Sequence, residues 1–267
     1  YTYFCDPCAK ALIIMQTIQA VERAFALMEI VAAEPANPLS LRDIAARADL
    51  NASTCSRLLA TLVAMGYVEQ IGYKGAYRLG PMAYAVTAKG PYRHDLIQTA
   101  EPLMRELVAA HGLNTNLIAL RGGKRYMLCE ISAQEPFSMR DDVRADASIY
   151  AYATGRLLVA CLPDSERTAW MADHGAPGVA WPEADSEEHL IAGLNAVREA
   201  GIAIKRDPKG FANFAAPILE DGRCTAALGA YCVDAACTPD RVDGIVRAVV
   251  DTAGAISAAL ERRRKRI

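Results

Sequence analysis

The fold of this chain is decided by residues 38–77, which read PLSLRDIAARADLNASTCSRLLATLVAMGYVEQIGYKGAY. Ser40 is a good helix N-cap with Asp43 three residues later, and the apolar residues that follow recur at helical spacing. A short turn then precedes Asn51, which can cap a second amphipathic helix. The pattern predicts a helix-turn-helix.

The second predicted helix has its apolar stripe on one side, so small and polar side chains fall on the other. Such a face can enter a major groove, where Arg57 can form two hydrogen bonds with guanine. Strand-like runs at 67–71 and 76–79 flank a turn bounded by glycines, which predicts a wing hairpin. A hairpin and helix pair that bind only protein is the alternative. We expect DNA contacts from Ser40, Asn51, Ala52, Ser53, Thr54, Ser56, Arg57 and Lys74.

Other segments extend the pattern: IQAVERAF at 18–25, YRLG at 77–80, ATGRLLVACLP at 153–163 and GFANFAAPILEDGRCTAALGAY at 210–231. With residues 39–69, they resemble the IclR (isocitrate lyase regulator) family of bacterial transcription factors. The resemblance covers nearly the whole chain from about Gln16. It implies a ligand-responsive regulator that binds a roughly palindromic DNA operator as a homodimer or a dimer of dimers and controls catabolic genes.

The resemblance and the order of elements favour an α+β fold. An N-terminal winged helix-turn-helix domain is joined by a linker helix to a C-terminal GAF-like effector-binding domain with an antiparallel sheet. We place the DNA-binding domain at 1–80, with 1–9 as an extension of unassigned role, the linker helix at 81–94, and the effector-binding and oligomerisation domain at 95–267. The resemblance also assigns a dimer contact to the first helix.

Apolar spacing and turn signals predict the individual elements. Helices are expected at 9–33, 82–92, 95–110, 154–161, 186–200 and 239–263. Strands are expected at 116–120, 124–131, 137–143, 202–204, 213–219 and 225–233. Because these strands arrive mainly as hairpins, we expect an antiparallel sheet rather than a doubly wound parallel one.

Length and composition limit the classes to which the protein can belong. The 267 residues are 52% hydrophobic, ample for two packed domains, and the net charge is -2. A general basic coat for nucleic acid is excluded, and a dimer presenting two modules would supply the additional phosphate contacts. The sequence has no cleavable signal pattern and no apolar run of transmembrane length, so we expect a cytoplasmic protein with no membrane partner.

The eight cysteines lie mostly in apolar runs, where thiols behave as small hydrophobes, and this usage indicates a reducing compartment. Cys5 and Cys8 have the spacing of a metal or redox pair. No second pair or nearby histidine completes a zinc set, so we expect no metal and no cofactor.

The segment 150–156 places small residues at a helix start, where exposed backbone N–H groups can bind an anion. We hypothesise a small organic acid effector, aromatic or hydroxyaromatic, with its carboxylate on the amides of Thr154 and Gly155, its ring against Tyr and Phe, and a polar group on Asn213. A small oxo-acid is the alternative. This segment itself indicates Tyr152 and Gly155 as effector-binding residues. The resemblance implies the remaining effector-binding residues, which are Met139, Ala147, Ala153, Thr154, Asp207, Phe211, Asn213, Gly229 and Tyr231.

An enzyme is the alternative class. The four histidines are scattered, and the sequence contains no nucleophile elbow, zinc-protease motif or phosphate-binding glycine loop. A thiol nucleophile at Cys129, Cys161 or Cys224 would make the chain a small-amide or ester hydrolase, although thiols in apolar runs are usually inert. The third hypothesis is a protein-interaction scaffold, which would bind no DNA. We expect a regulator and no catalytic residues.

Overall fold

The computed structural model describes residues 18–72, 75–88, 90–133, 145–146, 148–208 and 210–265. It divides into two compact units, one up to Pro91 and the other from Tyr92 onward. Within these ranges no helix has the length and apolar character that crossing a bilayer requires.

The N-terminal unit is a helical module with a two-stranded wing. Its elements are α1 (Gln19–Ala32), α2 (Leu41–Arg47), α3 (Ala52–Ala64), β1 (Val68–Gln70), β2 (Tyr77–Leu79) and α4 (Pro81–Ala85). The strands pair antiparallel, and Leu39 bridges to Tyr77 beside them. One core joins the three helices to the wing, because the apolar stripes of all of them meet there: Leu27, Val31, Ile44, Cys55, Leu59, Leu62 and Val68.

Side-chain caps fix where α2 and α3 begin. The Ser40 hydroxyl accepts a hydrogen bond from the Asp43 amide at 3.2 Å and donates one to the Asp43 carboxylate at 2.6 Å. The Asn51 side-chain oxygen accepts hydrogen bonds from the Thr54 amide and the Ser53 hydroxyl, both at 2.8 Å. Each cap satisfies a helix N–H group that has no partner within the helix.

The C-terminal unit is a six-stranded sheet between helices. Along the chain it contains α5 (His94–His111), β3 (Asn114–Arg121), β4 (Lys124–Ile131), β5 (Ala145–Asp146), α6 (Ala153–Ala160), α7 (Asp164–His174), α8 (Glu187–Ala200), β6 (Ala203–Asp207), β7 (Phe211–Glu220), β8 (Arg223–Val233) and α9 (Pro239–Arg264). The sheet order is β5-β4-β3-β8-β7-β6, and every recorded pairing is antiparallel. The predicted α+β fold with an antiparallel sheet is confirmed.

The two faces of the sheet bury different helices. Leu117, Phe214 and Leu228 face the side covered by α5 and α9. Ile118 and Ala215 face the other side, where α6 packs on the sheet and α8 packs on α6. The sheet therefore has apolar positions on both faces, as a layer between helices requires.

A β-bulge interrupts the pairing of β3 and β4. Leu117 pairs with Cys129, whereas the next residue, Ile118, pairs with Met127, so Leu128 is the extra residue. Leu128 and Cys129 both pack on the α5–α9 side. Consequently Met127 and Glu130, three residues apart, point to the same α6 side, which strict alternation would not allow.

One expected helix is shorter in the structure, one helix was not expected, and two expectations are not tested. The connecting helix, expected over 82–92, ends at Ala85, because α4 buries no side chain and has no side-chain cap. The helix α7 was not predicted, since its sequence DSERTAWMADH has a weak apolar stripe with Trp170 as its buried residue. The strand expected at 137–143 lies outside the described residues, as does the start of the first helix expected at 9–33.

Candidate functional site

The outer face of α3 is exposed and almost free of large side chains. Ala52, Ser53, Ser56 and Arg57 are exposed, and Thr54 is half-buried. A face of this kind lets a helix backbone approach base edges, and Arg57 is the cation it presents. Among the other predicted DNA contacts, the structure places Ser40 and Asn51 at the helix caps, while Lys74 lies outside the described residues.

Two other arginines of this module are paired with carboxylates. Arg47 lies 3.2 Å from Glu34, and Arg78 lies 2.9 Å from Glu69 across the wing strands. These side chains are roughly half exposed, so each pair contributes little stability. Their charges are nevertheless partly neutralised, which leaves Arg57 with a larger share of the module's attraction for phosphate.

The helix α1 exposes an apolar row on the side away from the core. Ile18, Val21 and Phe25 are 68%, 49% and 61% exposed, whereas Leu27 and Val31 are buried. These three side chains therefore lie on the surface of the described part of the N-terminal unit.

The C-terminal unit encloses a cavity of about 360 Å³ between the sheet and the start of α6. Its lining comes from β3, β4, β7, β8 and the residues that open α6: Asn116, Ile118, Arg125, Met127, Glu130, Tyr152, Ala153, Thr154, Asn213, Phe214, Gly229, Ala230 and Tyr231. This volume lies at the lower end of the range for small-molecule pockets.

Arg125 brings a positive charge to one side of the cavity. The residue is 8% exposed, its Nη2 donates a hydrogen bond to Thr154 Oγ1 at 3.0 Å, and its guanidinium lies 3.8 Å from the centre of the Tyr152 ring. Thr154 belongs to the first turn of α6, where the helix dipole is also positive. An anionic group is therefore favoured at this side.

The cavity wall also carries hydrogen-bond acceptors from β3 and β4. Glu130 Oε1 accepts a hydrogen bond from the Tyr231 hydroxyl at 2.8 Å. Asn116 is the direct cross-strand partner of Glu130, and its buried Oδ1 has no hydrogen-bond partner among the described residues. Neighbouring strands thus each contribute an acceptor side chain to the cavity wall.

Gly229 makes room for the Asn116 side chain. It pairs with Asn116 across β3 and β8, and a Cβ at position 229 would lie 2.2 Å from Asn116 Oδ1 and 2.8 Å from Thr154 Cγ2. Any larger residue would displace these two side chains. The glycine therefore keeps both of them at the cavity wall.

The structure gathers part of the predicted effector set around the cavity. Tyr152, Ala153, Thr154, Asn213, Gly229 and Tyr231 line it. Phe211 lies behind Tyr231, with ring centres 6.4 Å apart, and Asp207 pairs with Lys205 at 3.2 Å, so neither residue lines the cavity. Met139 and Ala147 lie outside the described residues.

Gly155 and Arg156 have packing roles. A Cβ on Gly155 would lie 1.9 Å from the Ile149 carbonyl oxygen, so glycine is needed for close approach of the 3-10 turn before α6. Arg156 donates to the carbonyls of Tyr150 and Ala180, both at 2.9 Å, and stacks on Trp181. Burial lowers the pKa of Arg156 to about 10, so the side chain stays charged at neutral pH.

Sequence reasoning missed the polar residues of β3 and β4. Arg125 could have been identified from the sequence, because it is a charged residue two positions before the apolar Met127 and so lies on the same face of the strand. Glu130 carried none, because alternation from Met127 assigns it to the other face and only the bulge reverses this. Asn116 was placed on a strand without any role.

Four of the cysteines that the structure describes lie in two pairs. Cys232 and Cys237 lie with their Sγ atoms 3.0 Å apart in the core, and burial raises the pKa of Cys232 to about 12. A hydrogen bond with Cys224 and the charge of Arg198 lower the pKa of Cys161, against the effect of burial. Among the residues that the structure describes, no cluster of three or more His, Cys, Asp or Glu can hold a metal ion.

Comparisons with known proteins agree with this architecture. The family model of the IclR helix-turn-helix domain matches residues 20–72, and that of the bacterial transcriptional regulator IclR C-terminal region matches residues 91–258. The HTH-type transcriptional regulator BhcR of Paracoccus denitrificans is 24% identical over 250 residues, which cover 92% of this chain and 89% of BhcR. The regulator XynR of Escherichia coli K12 is 28% identical over 220 residues, which cover 80% and 86%.

A solved structure has the same fold. It is an IclR homologue from Microbacterium hydrocarbonoxydans complexed with 4-hydroxybenzoate, with a TM-score of 0.72, 23% identity and coverage of 91% of this chain and 99% of the homologue. The helix-turn-helix and the named relatives define a DNA-binding transcriptional regulator rather than an enzyme. Because the family models together match more than half of its residues, the chain belongs to the IclR family of bacterial transcriptional regulators.

Proposed function

We propose that this regulator binds a roughly palindromic operator as a dimer or a dimer of dimers and controls catabolic genes in response to a small organic acid, with an aromatic acid as the preferred class. In this proposal residues 1–80 form the DNA-binding domain, residues 81–94 the connector, and residues 95–267 the effector-binding and oligomerisation domain. Effector binding changes operator affinity because the ligand prefers one arrangement of the dimer.

The exposed face of α3 supports the assignment of the DNA contacts. Its small side chains allow close approach, Ser53 and Ser56 can bond phosphate or bases, and Arg57 can read guanine. Asn51 and Ser40 contribute mainly by capping the helices that carry this face.

The exposed row of Ile18, Val21 and Phe25 supports pairing of two modules through α1. Pairing removes these apolar side chains from water and presents two copies of α3 to successive major grooves. Because Arg47 and Arg78 are paired with carboxylates, a second linked module adds phosphate contacts that strengthen binding.

The cavity is the observation that carries the effector assignment. Arg125 suits a carboxylate, and Tyr152 and Tyr231 provide aromatic surface within the same cavity. The 4-hydroxybenzoate in the Microbacterium homologue supports a single-ring acid over a small oxo-acid. The carboxylate position differs from the initial hypothesis, because a guanidinium beside Thr154 is a stronger anion partner than backbone amides alone.

The decisive experiment selects genomic DNA fragments with the purified protein, followed by footprinting at two salt concentrations with and without a panel of aromatic and aliphatic acids. We expect a salt-sensitive, sequence-selective footprint of two half-sites that one class of acid alters. If no acid changes the footprint, the effector assignment is wrong. If only aliphatic oxo-acids change it, the aromatic preference is wrong.

A further inference from the structure

Resting on the proposed acid response, we infer that Arg93 is a positioning residue. Its ion pair with Glu220 holds the end of the connector, so that a change at the cavity reaches the DNA-binding domain. Arg93 lies near the end of the connector 81–94, and the C-terminal unit begins one residue earlier, at Tyr92. The chain therefore passes through Arg93 as it enters the unit that contains the cavity.

The local sequence does not explain an arginine at position 93. Arg93 is the N-cap residue of α5 and has φ of +57°, a left-handed conformation that is uncommon outside glycine, asparagine and aspartate. Its side chain caps no helix N–H group, and its positive charge lies at the positive end of the helix dipole. Asparagine or aspartate would suit this position better. The contacts that explain the arginine are therefore long-range.

These contacts come from the end of β7. Arg93 Nη2 donates to Glu220 Oε1 at 2.5 Å, and the two side chains are 17% and 24% exposed. Water screens such a pair less than it screens an ion pair on the open surface. The Thr225 hydroxyl donates to the same Glu220 oxygen, and Thr225 is the extra residue of a bulge between β7 and β8. The carboxylate that binds Arg93 is thus fixed from a second strand.

Two strands connect the cavity to the point where the chain enters the C-terminal unit. β7 contributes Asn213 to the cavity wall near its start and ends at Glu220. β3 contributes Ile118 to the wall, and Arg121, three residues later, donates to the Tyr92 hydroxyl at 3.3 Å. Both strands can therefore carry a change at the cavity wall to the entering chain.

The ion pair determines how much of that change the connector receives. While Arg93 is held by Glu220, the entering chain must follow the end of β7. Without the pair, the chain can adopt other conformations at position 93, and the ligand's preference for one arrangement no longer biases the DNA-binding domain. Loss of the pair should therefore remove the coupling between the two sites while each site keeps its own affinity.

The test uses the full-length protein. Operator affinity is measured with and without benzoate, 4-hydroxybenzoate or pyruvate, and binding of the same acids without DNA is measured by isothermal titration calorimetry. Arg93→Asn suits the left-handed helix start but carries no charge for Glu220, and Glu220→Gln keeps an acceptor for the Thr225 hydroxyl but loses its charge. Arg105→Gln, which breaks an exposed ion pair with Glu101 on the same helix, is the matched control.

For the wild type and the control, we expect one of the acids to change operator affinity by about 10-fold. For Arg93→Asn and Glu220→Gln, this change should fall to about 2-fold or less, while affinity for the acid alone stays within about 2-fold of the wild type. An undiminished response in either variant would overturn the role of Arg93 and leave the effector assignment in place. Loss of acid binding in the variants would do the same, because the pair would then support the cavity itself. A wild type that responds to none of the acids would overturn the effector assignment as well.

Discussion

Gly229 on β8 and Asn116 on β3 are cross-strand partners, and the amide oxygen of Asn116 occupies the space that a side chain at position 229 would need. We expect Gly229→Ala to lower the free energy of unfolding by about 1 to 3 kcal/mol, because the new methyl group must displace Asn116 and Thr154. Chemical denaturation of the full chain measures this loss.

Combining Gly229→Ala with Asn116→Ala tests the cause of this destabilisation. If the clash with the amide dominates, the double variant should lose less stability than the sum of the two single variants. Additive losses would show that the backbone at position 229, and not the space beside Asn116, sets the cost.

Arg57→Ala should weaken specific operator binding by about 1 to 3 kcal/mol and relax the preference at one base pair, because the exposed guanidinium on α3 is positioned to read a base. Competition binding with single-base operator variants measures both effects. Arg47→Ala, at an arginine paired with Glu34, is the matched control. A uniform loss across all DNA sequences would mean that Arg57 contacts phosphate.

Two variants of Asn51 distinguish a helix-capping role from a DNA contact. Asn51→Ala should destabilise the DNA-binding module by about 0.5 to 2 kcal/mol, because its side chain accepts the Thr54 amide hydrogen. Asn51→Asp keeps the cap and should retain the melting temperature, but its charge should weaken DNA binding if the residue lies beside phosphate. An unchanged melting temperature in the alanine variant would contradict the capping role.

If the exposed row on α1 pairs two modules, replacing its side chains should lower the avidity for DNA without unfolding the protein. In the double variant Val21→Ser and Phe25→Ser, the preference for an operator with two half-sites over one should fall by about 100-fold or more. Melting temperature should stay near that of the wild type, since both side chains are exposed. Val179→Ser, at a residue that is 98% exposed, is the control. A preserved preference would rule out α1 as the pairing surface.

Cys161 should titrate below the usual range of a thiol. Hydrogen bonding with Cys224 and the nearby Arg198 lower the pKa of Cys161, so its thiolate forms at lower pH in the folded chain than in the unfolded one. The resulting stability is present at high pH and is lost as the pH falls through the folded pKa. Iodoacetamide labelling followed by mass spectrometry across pH should show Cys161 reacting at lower pH than Cys224 and Cys232, and Cys224→Ala should shift the Cys161 profile to higher pH.

The helix-turn-helix was predictable because its information is local. The caps Ser40 and Asn51 and the stripe of α3 lie within a few residues of the contacts they make, and the structure has all of them. Hairpin strands were equally predictable, since the strand expected at 124–131 has the bounds of β4. The connecting helix was not, since a five-residue helix depends on its surroundings more than on its own sequence.

The cavity was only partly predictable, because several of its residues depend on register. The opening residues of α6 follow from small side chains at a helix start, whereas the pairing of Asn116 with both Glu130 and Gly229 requires knowledge of which strands are neighbours. The strand order places β3 beside β8, more than ninety residues later in the chain. Local patterns do not contain that information.

The bulge at Leu128 also affects how relatives should be aligned. A family member that lacks this extra residue would have an uninterrupted strand and would place the counterpart of Glu130 one position earlier. An alignment without a gap would then equate Glu130 with a residue on the opposite face, so ligand preferences inferred column by column would be transferred to the wrong side chain. Effector specificity in this family can thus diverge through a single codon inserted or deleted in one strand.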